Sequence, residues 1–64
     1  MARINGEEVS AEGRTILEYL RDAGFAPEKV VVERNLEIIP REEYAAVRIE
    51  ETDSVEILHF VGGG

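Results

Sequence analysis

The sequence predicts an α+β fold in which a single helix covers one face of a small mixed sheet. Three observations carry that prediction. An Asn5-Gly6 pair stands between two short extended runs at the start of the chain. One stretch, Thr15 to Gly24, carries both a start and a stop signal for a helix. Apolar runs of strand type follow, at Val30-Val31-Val32 and at Val55–Val61.

Ala2 to Asn5 leads into Asn5-Gly6, and Glu7 to Ser10 follows with Val9 as its apolar member. Asn-Gly suits a type I′ turn, which needs positive φ at both central residues, so the chain should open with a β-hairpin. Thr15 and Glu18 match a capping box, with Thr15 as N-cap and Glu18 at N3. Ile16, Leu17, Leu20 and Ala23 fall on one helical face, with Arg14, Glu18, Arg21 and Asp22 opposite. Gly24 stands where a left-handed C′ residue belongs, so the spacing predicts a helix over Ile16 to Ala23. Phe25 can fold back on its last turn.

Pro27-Glu28 predicts a turn, and Val30 to Val32 a partly buried strand. Asn35-Leu36 permits a second turn, although Leu is a poor residue for its second position. Glu37 to Ile39 reads as a short strand ended by Pro40, and Arg41 to Ala46 as one irregular or 3₁₀ turn with Tyr44 against the core edge. Val47 to Ile49 alternates weakly. Glu50 to Ser54 reads as a polar turn before the final strand, Val55 to Val61. Helix and sheet can bury their apolar faces only against each other. The strand after the helix cannot reach the first hairpin through a tight turn, so a right-handed crossover is expected. The compact arrangement of these elements is a β-grasp, with residues 1–61 as the body and residues 62–64 as an extended tail.

At 64 residues the chain is one small domain of marginal size. With no Cys it has no disulfide staple and no thiol of its own to carry a group. Stability rests on one core, for which a hydrophobic content of 44% suffices. The net charge of −7 argues against nucleic acid, whose phosphates need a basic face. A solvated acidic surface accounts for that charge, and an acidic face for a basic partner protein is the sharper reading. The N-terminal stretch has no apolar h-region, and no run reaches membrane-spanning length. A soluble, cytoplasmic protein is therefore expected.

Side-chain chemistry is sparse. His59 is the only His. No third group is placed to complete a triad with it and Ser54 or Ser10, and a strand histidine facing solvent or a partner is the better reading. Glu42-Glu43 and Glu50-Glu51 sit in turns, where solvation is expected rather than acid–base work. One His and no Cys argue against a transition-metal site, and no phosphate-binding glycine motif is present. No bound cofactor is expected.

The remaining feature is Gly62-Gly63-Gly64. Without Cβ atoms, glycine backbone passes through narrow slots. A chain ending at Gly64 presents an α-carboxylate, ionised at neutral pH with an ordinary pKa of about 3.3–3.7. A carboxylate is a poor acyl donor. Adenylation by ATP would give it AMP as a good leaving group, and a sulfur nucleophile could then displace AMP to leave a thiocarboxylate. A frayed end or a glycine scar would explain the triplet equally well on its own.

Nearly the whole chain resembles the ThiS family, the sulfur carrier proteins of thiamine biosynthesis. The resemblance lies in the Asn5-Gly6 hairpin, the helix with Leu17 and Leu20, Asn35 followed by Ile39-Pro40-Arg41, and Tyr44. Most specific is Asp53 followed by VEILHFVGGG. The family often has Gly where Leu36 and Thr52 stand here, which alters loop geometry. The resemblance implies a ubiquitin-like β-grasp fold with the last strand beside the first. It implies that an E1-like adenylyltransferase uses MgATP to adenylate Gly64. A persulfide enzyme would supply the sulfur, and thiazole synthase would accept it. Gly62 and Gly63 would be the residues held in the partner's channel. Leu58 and Phe60 share a strand face with Glu56, opposite Val55, Ile57 and Val61, and are either partner contacts or core. Alternatives to the thiazole pathway are sulfur carriage for molybdopterin, an amino acid or a tRNA base, a ubiquitin-like modifier of lysines, and a plain interaction module.

Overall fold

The computed structural model describes residues 1–59. Five strands form one mixed sheet: β1 (Ala2–Ile4), β2 (Glu7–Val9), β3 (Val30–Arg34), β4 (Glu37–Ile38) and β5 (Ser54–His59). The order across the sheet is β2-β1-β5-β3-β4. β5 runs parallel to β1 and antiparallel to β3. The last strand thus lies beside the first and in the middle of the sheet. β3 is separated from the opening hairpin by β5, so the chain crosses from one side of the sheet to the other through the helix.

The helix α1 (Ile16–Asp22) begins as its capping box requires. The Glu18 N–H donates to Thr15 Oγ1 at 3.1 Å, and the Thr15 N–H donates to Glu18 Oε1 at 2.9 Å. These two bonds satisfy donors that a helix start otherwise leaves free. The Thr15 N–H lowers the Glu18 carboxyl pKa, against a smaller opposing effect of burial. At the other end Gly24 takes φ +89. The Phe25 N–H reaches the Leu20 carbonyl at 2.8 Å and the Gly24 N–H reaches the Arg21 carbonyl at 3.2 Å, the pair of bonds of a Schellman cap. Ala23 is the cap itself and is exposed, so it does not extend the apolar face as the spacing suggested.

The core joins α1 to the inner face of the sheet. Ile16 and Leu20 meet Ala2, Ile4, Val30, Val32, Val55 and Ile57, with Ala11, Ile39, Tyr44 and Ile49 closing the sides. Fully burying a side chain of this size is worth about 1.5–3 kcal/mol, so these few residues supply most of the stabilisation available to a chain this short. Leu17 and Phe25 pack half-buried at the margin, as do Val9, Tyr19 and Val47.

One segment is shorter than the sequence-based expectation, and two others gain definition in the structure. Val47 to Ile49, outside the five expected strands, forms a single bridge, Thr15 to Arg48. Ile49 is nevertheless buried, because its N–H bonds the Arg14 carbonyl at 2.8 Å and its carbonyl accepts from Gly13 at 2.8 Å. The expected turn at Pro27-Glu28 is a 3₁₀ turn over Pro27–Lys29. Strand β4 ends at Ile38, although the Ile39 N–H still donates to the Val32 carbonyl at 2.9 Å. Arg41–Glu43 is the expected 3₁₀ turn, and Tyr44 after it is buried. No helix among the described residues is long and apolar enough to cross a membrane.

Candidate functional site

The residues singled out by the resemblance converge on β5. Both sheet hairpins turn through two residues of positive φ: Asn5 (+51) with Gly6 (+84), and Asn35 (+53) with Leu36 (+71). This is the type I′ backbone that suits a two-residue hairpin. The asparagines also reach beyond their own turns. The Ile57 N–H donates to Asn5 Oδ1 at 2.8 Å, and the Ser54 N–H donates to Asn35 Oδ1 at 2.9 Å. Their backbone N–H groups donate to the Val55 and Ser54 carbonyls, at 2.9 and 2.7 Å. Each asparagine thus permits a turn and pins the central strand from one side.

Asp53, immediately before β5, is buried. Its carboxylate accepts from Arg34 Nε at 2.9 Å, from Asn35 Nδ2 at 3.0 Å and from the Glu50 N–H at 2.8 Å. Burial pushes the Asp53 carboxyl up. The Glu50 N–H, the Asn35 amide and the Arg34 guanidinium outweigh it and hold the pKa below the ordinary carboxylate value. One side chain therefore ties the β3–β4 turn, the polar turn at Glu50 and the entry to β5 together. Arg41 plays a similar part further along, with Nε donating to the Pro27 carbonyl at 3.2 Å and Nη2 to the Val30 carbonyl at 3.3 Å. The Tyr44 hydroxyl donates to that same Val30 carbonyl at 3.4 Å. The Asn35, Pro40-Arg41, Tyr44 and Asp53 signature thus describes the scaffold around β3 and β5.

The outer face of the sheet is open. Leu58 lies opposite Val31 and Glu56 opposite Glu33. Leu58 is 49% exposed while Val55 and Ile57 are buried, so Leu58 is not core. Glu33 and Glu56 set two carboxylates against each other across the strands, an unfavourable pairing in the free domain. His59 is exposed at the end of β5, with its ring centroid 6.2 Å from that of Phe25. Among the described residues no group of three His, Asp or Glu side chains could hold a metal ion. Phe60 and Val61, and the candidate site residues Gly62, Gly63 and Gly64, lie outside the described residues. Sequence reasoning did not find the strand-pinning role of Asn5 and Asn35. The signal available was that both turns begin with Asn rather than Asp or Gly.

The ThiS family model matches residues 1–64. The chain is 41% identical to the sulfur carrier protein ThiS of Bacillus subtilis, over the full length of both. It is also 52% identical, over 95% of its own length, to a thiazole synthase of Magnetococcus marinus, and 45% identical to one of Paramagnetospirillum magneticum. It spans only 19% of the length of either of those proteins. A solved structure of the thiamine biosynthesis protein ThiS from Geobacter metallireducens superimposes with a TM-score of 0.78 at 34% identity, covering 98% of this chain and 97% of that one. With the family model matched over residues 1–64 and the fold shared with a solved ThiS structure, this chain belongs to the ThiS family.

Proposed function

We propose that this chain is a sulfur carrier of thiamine biosynthesis, a protein cosubstrate rather than a catalyst. The observation that carries the reading is the family match, which runs through to Gly64. In this reading residues 1–61 are a handle and Gly62 to Gly64 a slim arm. An E1-like adenylyltransferase with MgATP joins AMP to the Gly64 carboxylate and releases pyrophosphate. A sulfur nucleophile drawn from a persulfide enzyme then attacks the acyl carbon. The C–S bond forms as the bond to AMP breaks, giving an acyl disulfide with that enzyme, and a thiol reductant then attacks the enzyme's sulfur, breaking the S–S bond to release the thiocarboxylate. Thiazole synthase is its acceptor, a choice supported by two thiazole synthases that each contain a stretch similar to this chain. Such chemistry asks for no base or metal from the carrier, only for a stable body and a narrow end. Glu33, Glu56 and the net charge of −7 suit a basic surface on the activating enzyme. We place the protein in the cytoplasm.

The test is intact mass. The native protein is incubated with its activating enzyme, ATP and a sulfur source, then fragmented. An oxygen-for-sulfur shift confined to Gly64 is expected. A chain that stays unshifted, or a mature protein in which residues follow Gly64, defeats the proposal.

A further inference from the structure

The β3–β4 turn holds a side chain for which the isolated domain has no use. Leu36 takes φ +71, a conformation that crowds a Cβ atom against the following carbonyl oxygen. It is also 92% exposed, so no internal packing offsets the strain. Gly6, at the matching position of the first hairpin with φ +84, is the residue that this backbone ordinarily takes. Ile38, two positions after Leu36, is 66% exposed. Beside it lies an open groove of about 320 Å³, lined by Ile38, Ile39, Pro40 and Val47 and, among its polar side chains, by Glu37, Glu43 and Arg34. Backbone strain retained at an exposed apolar residue points to a contact made outside the domain.

We propose that Leu36 and Ile38 form an apolar anchor that seats in a pocket of thiazole synthase, rimmed by basic side chains that meet Glu37 and Glu43. This rests on the carrier reading above and adds to it a second point of recognition, distant in sequence from the glycines. Thiazole synthase is the occupant because two proteins of that name contain, in their own polypeptides, a stretch 52% and 45% identical to this chain. There the two parts are held at high effective concentration, where even a small anchor is used. A second copy of this chain fits poorly, since each copy carries a net charge of −7.

The experiment is calorimetric titration of thiazole synthase from the same organism with the unmodified full chain and with Leu36→Gly, Leu36→Asn and Ile38→Thr. Gly and Asn both accept positive φ, so the turn is kept while the apolar group is removed. The expected result is Kd weakened roughly tenfold or more by either Leu36 substitution, together with a raised melting temperature of free Leu36→Gly. Three results overturn the proposal: Kd within about twofold of wild type for both Leu36 variants, no binding by the wild-type chain, or weakening seen only towards the adenylating enzyme. Sulfur loading of the wild-type chain is scored separately by mass. A chain that never takes sulfur at Gly64 defeats the carrier reading, whereas the anchor stands or falls on the titration of unmodified protein.

Discussion

The two hairpins of this domain follow one backbone path with different side chains. In the first, Asn5 is followed by Gly6. In the second, Asn35 is followed by Leu36, and both second residues have positive φ. The first turn has few supports: the Asn5 bonds to β5 and one from Arg3 Nη1 to the Gly6 carbonyl at 3.2 Å. The second is braced by Asp53, which binds Arg34 and Asn35 together. The difference teaches that a turn can hold an ill-suited residue when a buried carboxylate fixes what precedes it. Leu36 is tolerated because Asp53 secures Asn35, whereas Gly6 needs no such brace.

The sharpest way to break the contrast is Asp53→Ala. It leaves the Arg34 guanidinium, the Asn35 amide and the Glu50 N–H without their acceptor, and should lower unfolding free energy by about 2–3 kcal/mol in urea titration. Gly6→Leu comes next. A Cβ there meets no atom within 4 Å, so the cost is backbone strain alone, about 1–2 kcal/mol. The reverse change, Leu36→Gly, should stabilise the domain by about 1 kcal/mol, less than the strain relieved because Gly adds freedom to the unfolded chain. Asn5→Gly keeps the first turn but removes the acceptor of the Ile57 N–H, for a loss of about 1 kcal/mol in the same assay.

The smallest effect is one of pH. The Asp53 carboxyl titrates lower in the fold than its ordinary value. Its contribution is therefore whole above the unfolded pKa of about 3.9 and is lost as pH falls through the lower folded value. Melting temperature should decline across that acid window in the wild type. It should decline less in Asp53→Asn, which has no carboxylate to protonate at this position.

Much of the fold is legible in local signals. The Asn5-Gly6 turn, the Thr15–Glu18 box and the Gly24 cap each act within a few residues, so their chemistry can be read directly from the chain. Ile49 is different. It is buried without belonging to a strand because Gly13 and Arg14, far away in sequence, take up its backbone groups. No periodicity encodes such a pairing. The exposure of Leu58 against the burial of Ile57 follows from alternation, but which face meets the helix depends on register with β3. At the candidate site, the importance of Asp53 was visible as a motif residue. Its three hydrogen bonds come from two separate segments, Arg34-Asn35 and Glu50, and become apparent only when β5 is seated between its neighbours.

That seating has a consequence for synthesis on the ribosome. Strand β5 fills the middle of the sheet yet is translated after every other strand. Until residues 54 to 59 emerge, the β1–β2 and β3–β4 ribbons have no common neighbour and the helix has half a floor. A nascent chain cut short before that point cannot complete its sheet.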